Sequence, residues 1–315
     1  MRGHEPVLFE EVMAALAPRP GGMYVDGTVN GGGHAAGVLE RSAPHGRLLG
    51  VDLDEQALEV ARETLANYGP RVQLVHGSFG HLYEIARRHG FYPAAGVLLD
   101  LGISTAQLTA PRRGFSFQLD GPLDMRLDRS EGITAADLVN SLPEAELADM
   151  LYQYGEERKS RRIARAIVRA RPLRTTAELA NLVAGSLRRR GRIHPATRTF
   201  LALRIAVNDE LAVLSQGLKE AVDILAPGGH LVVIAFHSLE DRIVKNCFRT
   251  LARGEGGGSR PSVRLLTRKP IQPSAVERER NPASRSAKLR ALVKLAVSGE
   301  PTGGATRHNG EGKHG

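Results

Sequence analysis

The chain has 315 residues, 42% hydrophobic and 24% charged, with a net charge of +9 and a single cysteine, Cys247. The apolar share is ample for a buried core, which excludes wholesale disorder, and the length suits two domains or one α/β domain carrying an insertion. One cysteine excludes an internal disulfide and a Cys-rich zinc site, and neither an apolar leader at the start nor a membrane-length apolar run is visible, so the expectation is a soluble cytoplasmic protein with no membrane partner.

In chain order, the first hundred residues alternate between strand and helix. Met23–Asp26 is a short apolar strand ending in an acid, and a glycine-rich loop at 27–33 leads into a helix at 34–41. Arg47–Asp52 is a second strand, followed by a helix at 55–68. Val72–His76 is a third strand, Leu82–Arg88 a helix, and the almost wholly apolar run 95–101 a fourth strand. Such runs fit a parallel sheet covered on both faces. The rhythm then changes to helices alone, at 135–140, 144–154, 161–170, 176–188 and 197–209. Thr175 and Glu178 are spaced as a capping box. A helix at 210–225, a Pro-Gly-Gly turn at 227–229 and a strand at 230–236 restore the α/β alternation. A helix at 239–251, a glycine-rich loop at 254–259 and strands at 263–267 and 289–297 complete it.

The economical organisation is therefore one doubly wound, mostly parallel α/β sheet interrupted by an all-helical domain. Residues 1–108 form its first part, 109–205 the insertion, 206–298 the remainder and 299–315 a disordered tail.

Charge is unevenly spread. Residues 119–157 hold ten acids and two bases, 158–204 fourteen bases and one acid, and 260–294 ten bases and two acids. Arginine-rich blocks suit phosphate, because guanidinium pairs bidentately with phosphate oxygens. The acidic stretch around Asp120–Arg129 would repel phosphate, so it is expected away from an RNA track or against bound cations.

The loop from Asp26 to His34 lies where a strand meets a helix, a position that takes ligands in such sheets. Gly31, Gly33 and Ala36 match a dinucleotide fingerprint, and Asp52 stands where it could accept ribose hydroxyls. A pyrophosphate here would meet Asp26 as a like charge, at a cost of roughly 3–4 kcal/mol at 4–5 Å and an effective dielectric near 20. S-adenosylmethionine instead carries an ammonium and a sulfonium, which Asp26 and Asp100 suit. Phe79 follows the third strand, where a ring could lie on adenine or simply pack in the core.

Several longer strings carry a family resemblance. They include Asp26-Gly-Thr28 with Gly31-Gly-Gly-His34, Asp100-Leu-Gly-Ile-Ser104 with Gln107-Leu108, and Arg113-Gly-Phe-Ser-Phe117. Others are Gly121-Pro-Leu-Asp-Met-Arg126, Leu203 to Leu211 (LRIAVNDEL), Phe236 to Lys245 (FHSLEDRIVK) and Asn281 to Arg290 (NPASRSAKLR). In these the chain resembles the MraW-type methyltransferases, which modify the N4 amine of a cytidine in 16S ribosomal RNA. The resemblance implies a Rossmann-like class I methyltransferase sheet and S-adenosyl-L-methionine as cofactor. It places cofactor contacts at Gly32, Gly33, His34, Asp52, Phe79, Asp100 and Gln107, and it implies no metal. The partner implied is 16S rRNA within a small-subunit particle; the oligomeric state, a homodimer included, is left open.

The cytosine amine is a weak nucleophile, so an acceptor must draw on its N–H as the methyl group approaches. Asp100, Ser104, His237 and a carbonyl of the 101–103 turn are the candidates. Ala35 replaces the serine usual in the family, and Cys247 is expected to be a core residue rather than a nucleophile. The competing reading is a non-catalytic RNA-binding assembly factor with a relic nucleoside pocket. A nicotinamide oxidoreductase is disfavoured by the acid at residue 26.

Overall fold

The computed structural model describes residues 6–187, 194–254 and 262–296. The expected tail and most of the glycine-rich loop after Gly254 lie outside the described residues.

Seven strands form one sheet: β1 (Met23–Asp26), β2 (Arg47–Asp52), β3 (Val72–His76), β4 (Ala94–Asp100), β5 (Leu225–Ala235), β6 (Val263–Leu265) and β7 (Lys288–Lys294). Their spatial order is β3-β2-β1-β4-β5-β7-β6. Strands β1 to β5 pair in parallel, and β7 runs antiparallel to both neighbours. The order reverses between β1 and β4, which opens a crevice at their carboxyl ends.

Thirteen α-helices occur among the described residues. They are α1 (Phe9–Leu16), α2 (Gly33–Arg41), α3 (Glu55–Thr64), α4 (Leu82–Arg88), α5 (Thr105–Thr109), α6 (Ala135–Ser141), α7 (Glu144–Gly155) and α8 (Ser160–Ala170). The rest are α9 (Thr176–Ser186), α10 (Thr197–Val207), α11 (Glu210–Asp223), α12 (Ser238–Arg253) and α13 (Ala275–Arg280).

The central strands are apolar throughout because both faces are covered. Leu231 and Val233 of β5 pack with α4, α11 and α12, while Val232 and Ile234 point the other way onto the layer of α1, α2 and α3. Alternating side chains along each strand thus feed two different cores. This is the doubly wound, Rossmann-like sheet the sequence implies. The Pro-Gly-Gly turn survives as an irregularity inside β5: Ala94 pairs with Leu225 and Gly96 with His230. Helix α1 was not foreseen, although Phe9, Val12, Met13 and Leu16 hold helical spacing.

Between β4 and α11 a third core forms from side chains of 115–203, with Leu138, Leu147, Leu151, Ile163, Ile167, Leu179, Val183 and Leu203 buried in it. The helices α6 to α10 supply this core, and the capping box of Thr175 and Glu178 starts α9 as expected.

One polar clasp ties this helical body to the sheet, and a second closes the body at its exit. Arg113 is buried, with Nη1 2.6 Å from Asp54 Oδ2 and Nη2 donating to the carbonyls of Arg126 and Leu127. Asp54 itself caps α3. Asn208, just past α10, donates to the carbonyl of Met125 and accepts from the N–H of Leu127. Removing one partner of a buried ion pair strands the other charge. Arg113→Ala is therefore expected to destabilise the fold by about 3–5 kcal/mol, read as a lowered Tm; an unchanged Tm would show that the Asp54 clasp does not hold the helical body.

Candidate active site

Parallel strands in register bring their last residues to one edge, and here three of those residues are aspartates. Asp26 ends β1 opposite Gly50 and Leu98, so Asp52 and Asp100 stand two residues further along β2 and β4. Asp26 and Asp52 are buried, and the Asp100 side chain is 18% exposed.

The loop after β1 stitches them together. Thr28 N donates to Asp26 Oδ1 at 3.2 Å, Asp100 N donates to Thr28 Oγ1 at 2.6 Å, and Asn30 N donates to Asp52 Oδ2 at 2.8 Å. Asp52 Oδ1 accepts from Asp54 N at 2.9 Å.

His34 reaches the same edge from the first turn of α2. Its Nε2 lies 3.0 Å from the carbonyl of Val7, and its Nδ1 lies 3.5 Å from Asp100 Oδ2. Both ring nitrogens face acceptors, which favours the imidazolium. The His34 pKa is accordingly raised: burial opposes it, but the bond and charge of Asp100 and the charge of Asp26 prevail. Burial pushes the Asp26 carboxyl up to about 7, against the pull of His34, and the Asp52 carboxyl up to about 6, against its backbone bonds.

A cavity opens beside these acids, between the β1 loop, the short 3-10 turn carrying Phe79, and the first turns of α11 and α12. Asp52, Phe79 and Gln107 line it. Phe79 also packs on α11, where Gly217 leaves room for the ring; a Cβ there would crowd it closely. Gln107 is held in place, donating to Asp54 Oδ2 at 2.6 Å and accepting from Ser104 N at 2.8 Å. Asp100 and His34 meet each other at the adjoining edge.

The two glycines have a different local reason. Gly32 has φ +83° and starts α2, where a side chain would press on Leu65, and a Cβ on Gly33 would strike Pro6. Their lack of side chains seats the N-terminal segment and α3 against the loop; neither glycine lines the cavity, and the Gly32 N–H is bonded to the carbonyl of Val29 at 2.8 Å.

Ser104 and His237 are both helix caps. Ser104 Oγ accepts from Gln107 N in a capping box at the start of α5. His237 Nδ1 accepts from Glu240 N at 3.4 Å at the start of α12, while its buried Nε2 has no hydrogen-bond partner among the described residues. That nitrogen lies 3.1 Å from Glu240 Oε1.

Sequence reasoning missed Thr28, Asn30, Asn208, Glu210 and Glu240, all of which line the cavity. Asn208, Glu210 and Glu240 sat inside family strings without an assigned role, and that was the available signal. Glu210, His237 and Glu240 bring ligand-type atoms within 4.8 Å of one another. Arg204 already supplies positive charge there, with its guanidinium 2.7 and 2.9 Å from the two Glu210 oxygens.

The residues present fit a cationic nucleoside donor. Asp100 Oδ1 is buried and has no hydrogen-bond partner, and a buried carboxylate oxygen in that state calls for a donor or a cation. Asp52 keeps lone pairs for hydroxyls, and Phe79 offers a ring face.

The model of the MraW methylase family matches residues 1–295. The chain belongs to the MraW methylase family. It is 52% identical over 312 residues to the ribosomal RNA small subunit methyltransferase H of Syntrophobacter fumaroxidans, covering 93% of this chain and 97% of that one. The counterpart from Thermomicrobium roseum is also 52% identical, over 311 residues, with 94% and 95% covered. Among solved structures, a SAM-dependent O-methyltransferase from Thermotoga maritima superposes with a TM-score of 0.43 at 10% identity, over 95% of this chain and 70% of that one, a loose likeness only. This MraW-family chain is a methyltransferase.

A donor whose cationic end sits at Asp100, close enough to Asp26 for their charges to interact, and whose hydroxyls donate to Asp52 favours the ionised forms of both acids and pulls protons off the site. Raised carboxyl pKa values mean the free protein holds those protons up to about pH 6–7, and His34 loses its proton in the same direction. Donor affinity is therefore expected to rise with pH from about 5.5 to 7.5, by up to about tenfold per pH unit for each proton released. Calorimetry in buffers of different ionisation enthalpy measures both affinity and proton release. Affinity that stays flat across this window would remove the two acids from the donor site.

Proposed function

We propose that this methyltransferase transfers a methyl group to the exocyclic N4 amine of a cytidine in 16S ribosomal RNA, presented within a small-subunit particle in the cytoplasm. The observation that carries the reading is the trio Asp26, Asp52 and Asp100 at the strand switch point, with one Asp100 oxygen buried and unpartnered. Such a site repels a pyrophosphate and suits a sulfonium nucleoside. The names of the 52%-identical relatives supply the RNA class.

S-adenosylmethionine supplies an electrophilic methyl group on a sulfonium. The chain's own work is to hold and align, since an in-line displacement gains most from orientation. Asp52 takes ribose hydroxyls and Phe79 the adenine face. Gly33 offers its backbone N–H, Gly32, whose own N–H is bonded to the carbonyl of Val29, shapes the loop beside it, and Asp100, steadied by His34, holds the cationic amino-acid end.

Gln107 closes the wall next to Asp52 and is kept in place by Ser104. The turn at 101–103 faces the incoming base, with Gly102 on the cavity wall, and a carbonyl there draws on the amine N–H. His237 positions Glu240 and the start of α12, since its only ring acceptor is engaged in capping. The target cytosine must leave its stack to reach this depth. Residues 109–205 form the substrate-recognition domain, joined to the sheet parts 1–108 and 206–298.

The competing reading, an assembly factor with a relic pocket, would tolerate loss of the buried acids. Asp100→Ala distinguishes the two. Loss of a charged bond of about 1.5–3 kcal/mol is expected to weaken donor binding roughly ten- to hundredfold and to abolish labelled methyl transfer into 16S rRNA. Full transfer with unaltered donor affinity would sink the site assignment.

A further inference from the structure

A second groove lies beside the donor cavity, walled by the end of α7, the turn after it, α8, and the first turns of α10 and α12. Arg158, Lys159, Arg162, Arg198 and Arg242 line it, together with Tyr152, whose side chain is 61% exposed. Two acids share the lining but are already engaged. Glu157 is buried and accepts from Lys159 N at 2.8 Å, and Glu156 pairs with Arg242 at 3.0 Å and with Ser238 Oγ at 2.9 Å. Among the described residues, Arg158, Lys159 and Arg162 have no carboxylate partner within ion-pair distance.

The groove and the cavity meet at one place. The first turn of α12 gives Glu240 to the cavity and Leu239 and Arg242 to the groove. At about 1.5 Å of rise per residue these positions lie within one helical turn.

We propose that this groove holds a single-stranded segment of the ribosomal RNA beside the target nucleotide. Its phosphates lie on Arg158, Lys159, Arg162 and Arg198, and one base stacks on Tyr152. Unpaired cations with an exposed ring form the standard chemistry for gripping a single strand, and a duplex would present no base to the ring. A strand running along the groove arrives at the start of α12, where the next nucleotide turns into the cavity. The proposal rests on the rRNA methyltransferase reading and adds the path of the substrate.

The test uses the full chain carrying Arg158→Glu with Arg162→Glu, and separately Tyr152→Ala, assayed by methyl transfer into small-subunit particles over a range of salt. Both changes lie at exposed positions, and the Arg158→Lys/Arg162→Lys pair provides a folded, charge-preserving comparison. The expected result for the reversal is a KM for RNA raised at least about tenfold, with a salt slope shallower by about 1.4, roughly 0.7 for each single-strand phosphate no longer neutralised. Donor affinity and Tm stay unchanged, and the lysine pair restores most of the RNA affinity. For Tyr152→Ala a raised KM with an unaltered salt slope is expected. Unchanged KM and salt slope in reversal variants that still methylate would overturn the groove while leaving the activity standing. Absence of transfer by the unmodified chain would instead overturn the reading beneath it.

Discussion

Keeping negative charge inside the sheet's carboxyl edge is the constraint around which the rest of the molecule is arranged. An isolated buried carboxylate either shifts its pKa or acquires a partner, and this site does some of each. Asp52 is held by two backbone N–H groups and Asp26 by one, yet both carboxyls stay well above their ordinary values. His34 supplies positive charge beside Asp26 and Asp100, and the carbonyl of Val7 orients it. The N-terminal segment, through Pro6 against Gly33, is thus part of the site's electrostatics as well as of its packing. A cationic cofactor completes what the protein leaves unbalanced.

The helical body depends on the same edge. Asp54 follows Asp52 by two residues, caps α3, and accepts from both Gln107 and the buried Arg113. The residue that starts a helix over the donor site therefore also anchors the entry into the helical body. At its exit, Asn208 binds segment 125–127, and Asp209, in a left-handed conformation with φ +47°, turns the chain from α10 into α11. Glu210, the next residue, reaches the cavity while paired to Arg204. Both crossings between the two bodies pass by the cavity wall, which Gln107 lines at the entry and Asn208 and Glu210 at the exit.

Much of this was legible in the sequence because periodicity and strand-end acids are local signals. Strands β1, β2 and β3 and helix α4 fall within their predicted bounds, and the change from alternation to helices at the fourth strand marks the inserted core. The helix expected over 55–68 instead ends at Thr64, because Pro70 and Gly69 draw the following residues into a 3-10 turn. What could not be read is tertiary. Nothing local says that Gly33 accommodates Pro6, that His34 faces a carbonyl 27 residues earlier, or that Arg113 crosses to Asp54. Ser104 and His237 attract attention as chemical groups after strand ends, yet each closes a capping box, a function equally suited to those positions.

The charge pattern shows the same division between count and placement. In the carboxyl-terminal basic block, Lys288 and Arg290 are bound to Asp241, and Lys294 donates to three carbonyls at 222, 223 and 225. Those cations secure β7 and α12 and are not presented to a polyanion. Acids of the 119–157 stretch are likewise engaged locally: exposed Asp120 accepts from the N–H of Ala177 at the start of α9, buried Asp124 pairs with Arg126, and exposed Asp137 closes the capping box of α6. A helix such as α8 can bury Ile163, Ala164 and Ile167 on one side and keep Arg161, Arg162, Arg165 and Arg169 exposed on the other only if a core exists to receive the apolar stripe. The inserted body supplies that core, which is the physical reason for giving the arginine-rich face a scaffold of its own rather than laying it over the sheet.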